Sequence, residues 1–139
     1  MEKNDIRRAW AFQSTFWTSP TFKDYSAKDK YLLFYLLSNP HSNFCGCYQI
    51  HPAQIAEETG LARDDILTGL QRLAEGNAIC FSEMTNELLI GDGLRQSFIS
   101  SPRMEKRLRK EIGRIRHPVF RIFVRAEFLR LKDNDAQEK

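Results

Sequence analysis

The chain has 139 residues, 42% of them hydrophobic and 28% charged, with 10 Phe, 4 Tyr and 2 Trp; this is the composition of one soluble globular domain, and a second full domain has no room. Its formal charge of +3 argues neither for nor against a polyanionic partner until it is divided along the chain. Residues 1–94 hold 8 basic and 12 acidic side chains, residues 95–132 hold 12 and 3, and residues 133–139 hold 1 and 3, so a strongly cationic segment follows an acidic body.

The N-terminus, MEKNDIRRAWAF, is charged throughout and has no apolar run of signal-peptide length. The longest apolar stretch, residues 31–37, falls far short of the ~20 residues that cross a bilayer, so no membrane partner is expected. Three cysteines, an odd number, without an export signal point to free thiols and a cytoplasmic location. The first 25 residues hold Trp10, Phe12, Phe16, Trp17, Phe22 and Tyr25 among Ser, Thr and Pro20. They read as an irregular arm whose aromatics pack into the core, because base-stacking platforms keep basic residues close by.

Ser26 followed by Asp29 opens a buried helix of about three turns that ends at Ser38-Asn39-Pro40. Residues 39–43 read as a loop and 47–50 as a short strand; Pro52 starts a second helix that runs to Thr59, with Gly60 as its left-handed terminal residue. A third helix from Arg63 to Glu75 buries Ile66, Leu70 and Leu73 and stops at Gly76-Asn77. Residues 78–82 and 87–90 flank a turn and make a small hairpin.

This order is that of a winged helix-turn-helix: a mainly α fold with a small β-hairpin wing, followed by C-terminal helices. Three parts follow: a winged-helix domain with its aromatic arm over 1–94, a basic helical extension over 95–132, and a frayed acidic tail over 133–139. In such a fold the third helix enters the major groove, and its outward residues are Arg63, Asp64, Asp65, Thr68, Gln71, Arg72 and Glu75. Arg63 and Arg72 suit guanine edges or phosphates, Gln71 has the bidentate geometry for adenine, and Thr68 stands beside them. Asp64 and Asp65 suit the unpaired amides of a first helical turn but repel phosphates, and the wing tip carries no Lys or Arg. Winged helices also serve as protein-docking modules.

Ser101-Pro102 supplies a cap and a first-turn proline, and Met104, Leu108, Ile112 and Ile115 form one apolar stripe. Arg103, Lys106, Arg107, Lys110 and Arg114 fall within an arc of roughly 100° on one flank, a cluster suited to tracking a phosphate backbone. Arg109 and Arg116 lie on the other flank, and only Glu105 and Glu111 offset the charge. Double-stranded DNA is therefore the expected partner, bound by Arg63, Thr68, Gln71, Arg72 and this arc. After His117-Pro118, PVFRIFVRAEFLRL is apolar on most sides and fits a helix or a strand; it must be covered by the domain or by a second copy in a homodimer.

His41, Cys45, Cys47 and His51 make a symmetrical H-x3-C-x-C-x3-H spacing, which is not a usual zinc pattern, so no metal is expected and both cysteines read as small core or loop residues. Cys80, in the first wing strand, reads as a buried apolar residue. No phosphate-cradling glycine loop, nucleophile elbow or paired-carboxylate site appears. We therefore expect no catalytic residue, no cofactor and no enzyme.

The run FWTSPTFKDYSAKDKYLLFYLLSNPHSNFCGCYQIHPAQIAEETGLARDDILTGLQRLAEGNAICFSEMTNELLIGD resembles the N-terminal winged-helix domain of phage and prophage replisome-organiser proteins, relatives of DnaD-like primosome components. The likeness rests on Phe16-Trp17, the Leu-rich helix ending in Ser38-Asn39-Pro40-His41, the strand at 46–50, Thr59-Gly60-Leu61 and the wing ending in Asn86-Glu87. FISSPRMEKRLRKEIGRIRHP is similar to the segment that follows that domain. In this chain the third helix begins at Ala62, without the usual Ser, Thr or Asp cap. The resemblance implies origin-DNA binding in phage or prophage replication initiation, with a helicase or helicase loader as a further partner. Two rival expectations use the same fold, a prophage transcriptional regulator and a non-catalytic protein-docking module.

Overall fold

The computed structural model describes residues 17–94 and 98–138. Trp10, Phe12 and Phe16 of the aromatic arm lie outside them. The described residues are mostly helical around one small antiparallel sheet, in the order α1 (Pro20–Lys23), α2 (Ala27–Ser38), β1 (Cys47–Gln49), α3 (Pro52–Thr59), α4 (Arg63–Glu75), β2 (Ile79–Ser82), β3 (Glu87–Ile90), α5 (Pro102–Gly113) and α6 (Pro118–Glu138). The strands lie in the order β1-β3-β2, with Cys47 and Cys80 both opposite Leu89, and Tyr48 and Phe81 both opposite Leu88.

Local chemistry sets most of the boundaries. The Ser19 and Ser26 hydroxyls accept the amides of Phe22 and Asp29 and so cap α1 and α2. Asn39 ends α2, its side-chain amide donating to the carbonyls of Tyr35 and Leu36 and to the Tyr48 hydroxyl. Gly60, at φ 79°, closes α3 in the left-handed region, while α4 starts at Ala62 with no side-chain cap. After α4 the left-handed residue is Asn77, at φ 63°, rather than Gly76. Gly76 is small for a different reason: a Cβ there would lie 2.5 Å from the Tyr25 hydroxyl oxygen.

Successive side chains of a strand point to opposite faces of its sheet, and β3 is apolar on both. Leu88 enters a core built with Leu32, Leu36, Ile55, Ile66, Leu70 and Leu73 of α2, α3 and α4. Leu89 enters a second core with Cys45, Cys47 and, from α5 and α6, Leu108, Ile112, Phe120 and Val124. The molecule is thus three layers, helices on sheet on helices, and the C-terminal helices cover half of the sheet. Phe22 and Tyr25 of the arm pack into the first core, whereas Trp17 is 58% exposed and meets Phe22 edge-on at 5.1 Å.

Two buried carboxylates fasten the third layer. Glu87 on β3 accepts the backbone amides of Arg116 at 2.9 Å and His117 at 2.7 Å, just ahead of α6. The His117 ring adds an acceptor for the Phe120 amide at 3.3 Å and stacks on the Phe120 ring. Together they satisfy amides that a helix start leaves unpaired. Glu111 on α5 accepts the Cys45 amide at 2.9 Å, joining that helix to the segment before β1.

Four expectations need correction. The segment from Pro118 is one helix, and it continues to Glu138 through the residues expected to fray, because nothing in its interior is Gly or Pro. Cys80 is exposed: β2 is an edge strand, and α5 and α6 cover only β1 and β3 on that face. Helix α2 is buried on one side only, with Tyr31 and Phe34 turned outward. The arm is not wholly irregular, since Pro20 starts the short helix α1.

Glu87→Ala leaves two part-buried amides without an acceptor, at ~1–3 kcal/mol each, so a loss of about 2–6 kcal/mol is expected in urea unfolding. Glu87→Gln keeps one acceptor oxygen, and its unfolding midpoint falls between those of Glu87→Ala and the parent.

Candidate nucleic-acid interface

Helix α4 turns Ile66, Leu70 and Leu73 into the first core, which leaves Arg63, Asp64, Leu67, Thr68, Gln71 and Glu75 outward. Most of the polar side chains are already engaged. Arg72 is clamped to Asp29 of α2, with Nε 2.6 Å from Oδ2 and Nη2 3.0 Å from Oδ1. The Asp29 carboxylate is buried, and its hydrogen bond is the main reason that the Arg72 guanidinium holds its proton more firmly than usual. Arg72 is therefore a tie between two helices, a structural role that the expected base or phosphate contact did not include. Thr68 donates to the Asp64 carbonyl at 2.7 Å, Gln71 to Glu75 at 3.3 Å, and Lys28 pairs with Asp65 at 3.1 Å. Of the four α4 residues expected on DNA, Arg63 alone has no side-chain partner among the described residues.

The β2–β3 turn is held by the Thr85 amide on the Ser82 hydroxyl and by Asn86 at φ 54°. It presents Met84, 93% exposed, and Glu83, with no cation.

Helix α5 is different. Ser101 caps it by accepting the Met104 amide at 3.1 Å, and Leu108, Ile112 and Ile115 seat it on the sheet. Its flank then faces water. Arg103, Lys106, Lys110 and the C-cap Arg114 are exposed, and their side chains make no hydrogen bond or ion pair among the described residues. Neither acid of the helix pairs with these four cations: Glu111 holds the Cys45 amide and Arg107, and Glu105 lies 3.5 Å from Lys132 of α6. The four cations form a ridge of about 16 Å at 1.5 Å per residue, long enough to follow several phosphates of one strand.

Arg107, expected on this ridge, is drawn aside. Its Nε lies 3.3 Å from Glu111 and its guanidinium sits 4.7 Å over the Phe44 ring, so it serves the packing of α5 against the loop before β1. Arg109, on the opposite flank, stands over Phe128 at 5.2 Å. Because Leu88 and Leu89 point to opposite faces, α4 and α5 lie on opposite sides of the sheet, and the ridge does not continue the α4 surface.

The His/Cys group does not converge. His41 Nε2 lies 2.7 Å from Glu58, which also accepts from the Tyr35 hydroxyl, and His51 is exposed at the start of α3. Burial pushes the Cys45 thiol up to about 12 and the Cys47 thiol up as well, which keeps both protonated at neutral pH. Among the described residues no three His, Cys, Asp or Glu side chains gather as metal ligands, and no helix is long and apolar enough to cross a membrane.

Compared with protein-family models, curated proteins and solved structures, the chain matches none. The site must therefore be read from its own geometry. Sequence reasoning missed Asp29 as a counter-ion, although Asp29, Leu32, Leu33 and Leu36 follow the spacing of one buried helix face.

Arg72→Ala leaves the Asp29 carboxylate buried without its counter-ion, and the thermal midpoint should fall by roughly 3–6 °C. Arg63→Ala touches no partner among the described residues, and its midpoint should stay within about 1 °C of the parent.

Proposed function

We propose that this protein binds double-stranded DNA without a catalytic step, and that the α5 ridge supplies most of the electrostatic affinity. The observation that carries this reading is the set of four exposed, uncompensated cations, Arg103, Lys106, Lys110 and Arg114, on a helix whose two acids are turned away. Lysine and arginine in such a row displace condensed counterions from a phosphate backbone. We further read α3, the Gly60 turn, α4 and the β2–β3 hairpin as a winged helix-turn-helix. In support, the turn is closed by a left-handed glycine, α4 packs across α3, and a hairpin follows α4 directly.

In this reading the α5 ridge grips without regard to sequence, and α4 contributes selectivity through Arg63, Thr68 and Gln71. The resemblance to replisome organisers makes replication initiation the process we favour, with origin DNA as target and a helicase or its loader as second partner. One observation favours a protein contact for α4: its outward side carries Asp64, Glu75 and the exposed Leu67, while Arg72 is bound to Asp29. A face of that kind fits a basic, partly apolar partner better than a phosphate backbone.

Changing Arg103, Lys106, Lys110 and Arg114 together to Ala tests the proposal. Binding to random and origin-containing duplexes should weaken alike, and the slope of log K against log salt should shrink by about 3–4 units. An unchanged slope in a folded variant contradicts it.

A further inference from the structure

Helix α6 has two apolar faces. Phe120, Val124 and Phe128 are buried in the second core. Opposite them, Val119, Ile122, Phe123, Ala126 and Leu129 are all exposed, the four large side chains at 65, 68, 42 and 47%. Exposed apolar residues scattered singly are ordinary; five on one side of one helix are a surface that water solvates poorly. Positions 119, 122, 126 and 129 are spaced three, four and three apart, the spacing at which one helix forms a seam with another.

The charges at the ends of the stripe select the occupant. Before it, at the corner between α5 and α6, stands the exposed Arg116, whose backbone amide is held by Glu87 while its side chain is outward. Beyond it, seven residues after Ala126 and so on the same line, stands the exposed Asp133. The stripe is thus apolar along its middle, flanked by the exposed Arg125 and by Arg130, which is paired with Glu127 at 2.7 Å, and it has Arg116 at one end and Asp133 at the other. Such a pattern complements its own reversed copy. When two α6 helices lie antiparallel about a two-fold axis near the centre of the stripe, Val119 meets the second copy's Leu129 and Ile122 meets the second copy's Ala126. Asp133 of each then comes level with Arg116 of the other, and the helix dipoles oppose favourably. A parallel pair would set like ends together. We infer that a second copy of this chain docks on the exposed face of α6, antiparallel, to form a two-fold symmetric dimer.

Sedimentation equilibrium of the full chain at micromolar concentration tests this, independently of whether α5 binds DNA. The parent sediments as a dimer, and Ile122→Glu, a change at an exposed position that leaves the circular dichroism spectrum intact, raises the dimer dissociation constant at least about tenfold. Arg116→Asp and Asp133→Arg each weaken the dimer, and the double charge reversal restores it. In a Cys80→Ser background, a mixture of Val119→Cys and Leu129→Cys chains forms a disulfide-linked pair that neither forms alone. A monomeric parent across the whole range, or an Ile122→Glu dimer as tight as the parent, overturns the proposal; self-linking of Leu129→Cys overturns the antiparallel arrangement.

Discussion

A strand that is apolar on both sides has to be covered twice, and in this protein the requirement falls on β3. Leu88 is satisfied by α2, α3 and α4, and Leu89 by α5 and α6. The three short strands gain their stability by packing against helices, and both helical layers meet on the same strand. The polar groups buried at this junction are satisfied in turn: Glu87 takes the two amides that precede α6, and Glu111 takes the Cys45 amide. The C-terminal helices are therefore part of the same packed structure as the sheet.

That dependence shapes the charge on the surface. Seating α5 by Leu108, Ile112 and Ile115 leaves its basic flank outward, and using Glu111 as an internal acceptor removes one of the two acids that would have balanced it. The ridge is positive because its helix is needed elsewhere in the fold. On α4 the logic runs the other way. Arg72 compensates a buried Asp29, which leaves the outward face with Asp64 and Glu75 against Arg63. The resulting molecule carries the basic ridge of α5 on one side of the sheet and α4 on the other, with an apolar stripe along α6.

What could be read from the sequence was local. Ser26, Gly60 and Ser101-Pro102 act within a few residues of themselves, and the helix and strand limits they predict agree with the structure to within a residue or two. Features that failed depend on distant partners. Asp29 and Arg72 are 43 residues apart, and nothing near Arg72 shows that it is bound. The exposure of Cys80 depends on which strands α5 and α6 cover, and no neighbouring residue signals it. Glu87 alternates with the buried Leu89 on one side of β3, a sign of burial, but the amides that satisfy it lie 29 and 30 residues away. The basic arc of α5 was legible from helical spacing alone, but the loss of Arg107 to Glu111 and Phe44 was not, since Phe44 lies 63 positions earlier in the chain.

The central claim is that the sheet and the C-terminal helices fold as one unit, which is what holds the basic ridge in a fixed place. Native-state hydrogen exchange tests it most directly, through the amides of Cys45, Arg116 and His117 at the junction and those of Leu88 and Leu89 in the sheet. The account predicts that all five open with the same free energy and the same dependence on denaturant. Exchange of the Arg116 and His117 amides through a much cheaper opening, with the Leu88 and Leu89 amides still protected, would contradict it.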